Sequence, residues 1–267
     1  MSDPERRPHL LILGGTGEAQ ALAAAALERF GARLQVTTAL AGLTEHRAPI
    51  AGGVRIGGFG GSDGLARYLA AERIGLLVDA THPFAARISA QAQAACAEAG
   101  VPRLLLLRPE WQHHPLDRWI EVEDIAGAAR ALRQLGRRVW LTVGRRELDA
   151  FAGLTQHHFL VRLIEPPAAP LPLASYELLL GRGPFHPAGE RHILERHGIE
   201  ALVAKASGGD ATEAKLVAAR ERDLPVVMVR RPRPVAGERV DSVAAALDWL
   251  ALRLAGAAAR ESEEAKS

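Results

Sequence analysis

The 267-residue chain carries 33 Lys+Arg against 31 Asp+Glu, a formal net charge of +2, and is 48% apolar. That balance excludes a broad nucleic-acid footprint, and no stretch of about 18 apolar residues is free of charge, so no membrane span is expected. Cys96 is the single cysteine, which excludes an intramolecular disulfide and a cysteine metal cluster and fits a reducing cytoplasm; Met1–Arg7 lacks the apolar core of a signal peptide.

His9–Leu13 reads as a buried strand. A glycine turn follows, then a helix over Glu18–Phe30 with Leu22, Ala23, Ala26, Leu27 and Phe30 on one face. Leu34–Thr38 and Val54–Ile56 read as strands, and Gly57-Gly58-Phe59-Gly60-Gly61 as a second glycine turn whose helix Ser62 or Asp63 caps and which ends near Glu72. Leu76–Asp79 is a strand, Phe84–Ala99 a helix and Arg103–Leu107 a strand; Cys96 falls in the alanine-rich helix as a buried thiol. Arg108–Asp117 is polar, carries Pro109 and Pro115, and marks the domain boundary. Beyond it, helices are expected over Ile125–Leu135, Gly189–His197, Glu213–Arg222 and Val243–Leu254. Strands are expected over Val139–Val143, Phe159–Leu163, Glu177–Leu180, Ala201–Lys205 and Val226–Val229. The alternation predicts an α/β protein of two doubly wound parallel-sheet lobes with a cleft between them. The division is residues 1–110, residues 111–255, and a disordered tail over 256–267.

Ligands of such sheets bind past the carboxyl ends of strands. After the first strand, Gly15, Thr16 and Gly17 fit a phosphate-cradling turn, although Gln20 stands where a third glycine belongs. Glu18 is a ribose ligand or a partner of the helix dipole. Past the second strand no carboxylate appears until Glu45, and Thr37 and Thr38 offer hydroxyls to a 2′-phosphate, with Arg47 near; this favours NADPH over NADH. As β-formers the two threonines need no other role. Gly58, Phe59 and Gly60 follow the third strand. Past the fourth, Thr81, His82 and Pro83 are placed to touch cofactor or substrate, unless Asp79 or Thr81 only caps the next helix.

Lysine occurs only at 205, 215 and 266, so thirty of the cations are arginine and the two internal lysines stand out. Lys205, Ser207, Gly208, Gly209, Thr212 and Lys215 surround one strand-to-helix turn, with Asp210 as N-cap and Glu213 three residues on. Backbone N–H, hydroxyl and ammonium donors there form an anion site, or else a capped turn with incidental lysines. Gly144, Arg145, Arg162 and Arg182 lie at other strand ends of the same half, and such a set of cations suits a polycarboxylate. The pairs His113-His114 and His157-His158 lack ligand spacing, so no metal site is expected.

Gly14-Gly15-Thr16-Gly17-Glu18, Gly57-Gly58-Phe59-Gly60, Asp79-Ala80-Thr81-His82-Pro83-Phe84-Ala85, Arg108-Pro109-Glu110-Trp111, Gly181-Arg182-Gly183-Pro184-Phe185 and Lys205–Lys215, in this order, resemble the precorrin-6A reductases of cobalamin biosynthesis. The resemblance runs from Leu10 to about Pro232 and takes in Gly144 and Arg162. It implies two Rossmann-like lobes and NADPH-dependent reduction of one macrocycle double bond to give precorrin-6B, with the proton from an acid or water. The first lobe would hold NADPH and the second the carboxylate arms of the tetrapyrrole, in a monomer or weak homodimer. No residue is singled out as the proton donor. Family members often carry arginine directly after the Ala-Gly of the second loop, where Leu43 stands here. A cobalt-loaded substrate, with NADH or NADPH, and a non-catalytic NADP-binding redox sensor are the alternatives.

Overall fold

The structure, a computed structural model, describes residues 7–41 and 49–264. Among the described residues twelve strands follow one another: β1 (His9–Leu13), β2 (Gln35–Leu40), β3 (Gly53–Ile56), β4 (Leu76–Asp79), β5 (Arg103–Leu106), β6 (Arg118–Val122), β7 (Arg138–Leu141), β8 (His158–Leu163), β9 (Tyr176–Leu180), β10 (Ala201–Lys205), β11 (Pro225–Val229) and β12 (Glu238–Val240). The helices are α1 (Gly17–Phe30), α2 (Ser62–Ala71), α3 (Ala86–Ala99), α4 (Ile125–Leu132), α5 (Pro187–Arg196), α6 (Ala214–Glu221) and α7 (Val243–Glu264).

The strands form two six-stranded sheets, β3-β2-β1-β4-β5-β12 and β9-β8-β7-β10-β11-β6. Every strand pair is parallel. The expected α/β class with two Rossmann-like parallel sheets therefore holds. Both faces of a parallel sheet must be covered by helices, and central strands consequently read as unbroken apolar runs. All five residues of β1 are buried, as are all four of β4. On one face of the first sheet Leu10, Ile12 and Val78 pack with Leu22 and Ala26 of α1; on the other, Leu11, Leu13 and Leu77 pack with Leu65 and Leu69 of α2 and with Cys96 of α3. Burial pushes the Cys96 thiol up to about 11, which fits the expected buried thiol. In the second sheet Trp140, Leu160, Leu202 and Met228 pack with Leu194 of α5 and Leu216 of α6.

In each sheet strand order reverses beside the first strand of the doubly wound run. The switch lies between β1 and β4 in the first sheet and between β7 and β10 in the second. Open parallel sheets bind ligands at such points. The turns after β1 and β4, and those after β7 and β10, are the ones that glycine, hydroxyl and lysine content singles out.

The division of the chain differs from the expected one. One compact unit comprises Met1–Arg108 and Pro232–Ser267, the other Pro109–Arg231. After β11 the chain returns to the first unit. There β12 pairs with β5, and Ala246, Trp249 and Leu250 of α7 join the core that α1 covers. The helix runs to Glu264, so residues 256–264 are helical where a disordered tail was expected. Two strands escape the periodicity reading, β6 and β12. Both are sheet edges, short and charged (Arg118-Trp119-Ile120-Glu121-Val122 and Glu238-Arg239-Val240), a composition that blunts an edge against further pairing.

Leu250 is fully buried in the core shared by α1 and α7. Leu250→Ala is expected to lower unfolding free energy by about 2–5 kcal/mol in chemical denaturation, as for other buried leucines. A loss below about 0.5 kcal/mol would contradict the placement of α7.

Candidate functional site

In the first unit the turn Gly14–Gly17 is anchored on both sides. The Gly14 N–H donates to Ala39 O of β2 at 2.9 Å. Thr16 Oγ1 accepts from Ala19 N at 3.1 Å, capping α1, and donates to Ala80 O past β4 at 2.7 Å. A Cβ at Gly14 would come within 2.7 Å of the Thr38 methyl, so the turn lies directly on β2. Gly15 sits at φ +112°, where side chains are strained, and nothing lies within 4 Å of a Cβ placed at Gly15 or Gly17. The opening of α1 is thus free backbone able to meet an anion. Glu18, in its first turn, receives Arg108 Nη1 at 2.9 Å.

Thr37 and Thr38 lie inside β2 rather than past its end. β2 runs two residues further than the sequence suggests, to Leu40, because Ala39 pairs with both Leu13 and Arg55. Both threonines are therefore mid-strand. The Thr37 hydroxyl bonds His9 Nε2 at 2.8 Å, and Thr38 is fully buried, its Oγ1 without a partner among the described residues. Engaged by His9 in one case and fully buried in the other, these hydroxyls are not presented to a 2′-phosphate. The absence of a carboxylate past β2 holds through Ala41; Leu43, Glu45 and Arg47 lie outside the described residues.

The second glycine turn is strapped from below. Arg55 of β3 donates to Gly57 O (2.5 Å) and Gly58 O (3.0 Å), and its guanidinium lies 4.0 Å from the Phe59 ring centroid and 4.9 Å from that of Tyr68. Phe59 meets Tyr68 edge-on at 5.2 Å and packs into the α2–α3 core. Burial, with Glu72 adding to it, raises the Tyr68 phenol above its ordinary range against the pull of Arg55. Gly57, Gly60 and Gly61 have positive φ. Neither Ser62 nor Asp63 caps α2: Gly61 is the N-cap, without a side-chain bond, and Ser62 Oγ donates to Asp63 instead.

Past β4, Asp79 is fully buried. Its Oδ1 accepts from the Thr81 amide (3.2 Å) and hydroxyl (2.7 Å), while Oδ2 has no partner among the described residues. The Thr81 hydrogen is spent on Asp79, so its oxygen can only accept, and Ser89 Oγ already lies 3.5 Å from it. His82 Nδ1 accepts from Phe84 N at 3.3 Å across Pro83. α3 begins at Ala86 with Ala85 as N-cap, so neither Asp79 nor Thr81 caps it.

The second unit corrects several of the expected cation roles. Arg162 lies in β8, forms a buried bidentate pair with Glu190 at 2.8 Å, and is stacked between Trp140 (4.4 Å) and Phe185 (4.0 Å). Its charge is already matched, and it braces the loop that carries Arg182. Lys215 is buried: it donates to Thr212 O and lies 4.9 Å from the Trp111 ring centroid. Lys205, at the end of β10, donates to both oxygens of Glu147 at 3.0 Å, and Glu147 also accepts from the Gly144 N–H. Arg145 and Arg182 are exposed.

The turn 205–212 is held from inside. Arg231 donates to Ala206 O (3.1 Å) and Ser207 O (2.9 Å), and Trp111 Nε1 to Gly209 O (3.0 Å). Gly208, at φ +67°, has Pro109 O only 1.9 Å from where a Cβ would sit, so no larger residue fits. Asp210–Thr212 form a short 3-10 turn, and α6 starts at Ala214 without a side-chain cap, so the expected Asp210 capping box is absent. Arg55, Glu147 and Arg231 are the residues that sequence reasoning missed. Arg231 stands in the run Arg230-Arg231-Pro232-Arg233 directly past β11, a signal lost among thirty arginines. Glu147 sits three residues past Gly144, and Arg55 two before the glycine turn.

These features define a protein of two Rossmann-type sheets, with a phosphate-type glycine turn at the switch point of one and a basic, hydroxyl-bearing turn at the switch point of the other. Residues 9–251 match the family model described as "Precorrin-6x reductase CbiJ/CobK", and the chain belongs to that family. It is 49% identical to a protein of Rhodococcus erythropolis named precorrin-6A reductase, over 90% of this chain and 96% of that one. It is 30% identical to the cobalt-precorrin-6A reductase of Salmonella typhimurium, over 93% and 97% of the two chains. A solved structure titled "CobK precorrin-6A reductase" superposes with a TM-score of 0.87 at 41% identity, covering 92% of this chain and 97% of that one.

Thr16→Val removes the α1 cap and leaves Ala80 O without its donor. It is expected to lower stability by about 1–2 kcal/mol in denaturant titration, with Thr16→Ser restoring most of it. Equal stability of the valine and serine variants would contradict the double role of this hydroxyl.

Proposed function

We propose that this chain is a precorrin-6A reductase that transfers hydride from NADPH to one double bond of the precorrin macrocycle, giving precorrin-6B. The observation that carries the reading is the Gly14–Gly17 turn at the first sheet's switch point, whose backbone is held in place by β2 and the end of β4 while nothing lies within 4 Å of a Cβ placed at Gly15 or Gly17. The residues present fit a dinucleotide. Gly15, Thr16 and Gly17 would meet the pyrophosphate, and the Thr81 oxygen, unable to donate, would accept from a hydroxyl or amide of the cofactor. Gly58, Gly60, His82 and Pro83 line the neighbouring turns of the same rim. When bound, the reduced nicotinamide supplies the hydride.

The second unit would take the acetate and propionate arms of the substrate. Arg145 and Arg182 present guanidinium groups, and Lys205 presents an ammonium that Glu147 orients. Ser207, Gly208, Gly209 and Thr212 add hydroxyl and backbone donors. The protein's contribution to such a reaction is chiefly to hold the reacting carbon against the hydride and to match the charge of the arms. The relative at 49% identity is named for the metal-free substrate and the one named for the cobalt-loaded substrate is at 30%, which favours the metal-free macrocycle here.

Loss of the reduced-nicotinamide absorbance should require both the folded chain and precorrin-6A, and should be faster with the metal-free than with the cobalt-loaded macrocycle. No loss with authentic precorrin-6A would overturn the proposal. Lys205→Ala is expected to weaken binding of the tetrapyrrole by about 1.5–3 kcal/mol in calorimetry, the worth of a charged hydrogen bond, and to leave NADPH binding unchanged. Equal weakening of both ligands would contradict the assignment of substrate to the second unit.

A further inference from the structure

With Thr37 and Thr38 inside β2, a 2′-phosphate needs another partner among the described residues of the first unit's rim. Leu13, Ala39 and Arg55 form one row across three strands, the last row before the first glycine turn. Neighbouring strands lie about 4.8 Å apart, which sets Arg55 roughly 10 Å sideways from the end of β1. That is the β2–β3 side of the rim, where dinucleotide folds meet the adenosine ribose. Among described residues 39–41 and 49–61, Arg55 is the one cation.

Its geometry is that of a prepared anion donor. Two of the five guanidinium N–H groups are spent on Gly57 O and Gly58 O, which fixes the plane and leaves the others for an acceptor. The rings of Phe59 and Tyr68, with centroids 4.0 Å and 4.9 Å from it, pack against the guanidinium. Carbonyl acceptors leave the positive charge in place, and among the described residues no carboxylate forms an ion pair with it, unlike Arg108, Arg162 and Lys205. The turn it braces adds Gly57, Gly60 and Gly61, at which a Cβ would meet nothing within 4 Å, and the uncapped opening of α2.

Building on the reading of the first unit as the cofactor site, we propose that Arg55, braced on Phe59 and the Gly57–Gly58 carbonyls, binds the 2′-phosphate of NADPH and sets the preference for NADPH over NADH. The test is calorimetric titration of the wild type, Arg55→Ala and Arg55→Lys with NADP+ and with NAD+. The wild type should bind NADP+ more tightly. Arg55→Ala should lose roughly 10- to 100-fold in NADP+ affinity, as expected for one charged contact, with NAD+ affinity changed less than about twofold. Arg55→Lys, which keeps the charge but not the double carbonyl strap, should fall between the two and guards against a misfolded alanine variant. An unchanged preference for NADP+ in both variants, or an equal loss for both nucleotides, would overturn the Arg55 assignment and leave the cofactor reading intact. A wild type that bound neither nucleotide would overturn the cofactor reading and this proposal with it.

Discussion

The glycine turn between β1 and α1 is clamped by backbone and hydroxyl bonds to the strands on either side, and the proposed chemistry of the first unit hangs on that clamp. Gly14 gives its N–H to β2 and has no room for a side chain, because the Thr38 methyl occupies the space. Thr16 spends both capacities of its hydroxyl, one on the α1 opening and one on the carbonyl past β4. Each bond contributes only about 1 kcal/mol net, but together they leave the turn one conformation. A helix opening with a fixed backbone favours an anion, because the turn need not be ordered when the ligand arrives.

The second unit repeats the parallel architecture but uses its charges differently. Buried charges must be matched, because an unpaired one costs several kcal/mol. Arg162 is matched by Glu190 and enclosed by aromatic rings, so it acts as a brace for the Arg182 loop. Lys215 is turned inward to Thr212 and Trp111. Lys205 keeps a carboxylate partner, yet that partner also holds the Gly144 amide, which links the two turns at the switch point of the second sheet. Exposed charge in these loops lies on arginines such as Arg145 and Arg182, while Lys205 keeps its pairing with Glu147.

The architecture was legible where apolar period and glycine punctuation agree. β1, β4 and β10 begin and end where the sequence places them, because each is an unbroken buried run closed by a change to glycine or polar residues. The edge strands β6 and β12 were not legible, since exposure lets Arg and Glu replace the apolar alternation. Missing β12 moved the domain boundary, because that strand and α7 carry the chain back to the first unit. In the site, turn positions were readable and side-chain destinations were not. Thr37, Thr38, Arg162 and Lys215 have the right chemistry, but strand register and long-range partners such as His9 and Glu190 decide where each points. Arg55 is the converse case: one arginine among thirty gives no hint in the sequence that two carbonyls and two rings hold it.

The division of labour between the two units is tested most directly by a crystal structure of the protein with bound NADP+. The account places the pyrophosphate on the backbone N–H groups of Gly15–Gly17, with the Ser207–Thr212 turn clear of nucleotide. Nucleotide density on the Ser207–Thr212 turn, with the Gly14–Gly17 turn vacant, would contradict it.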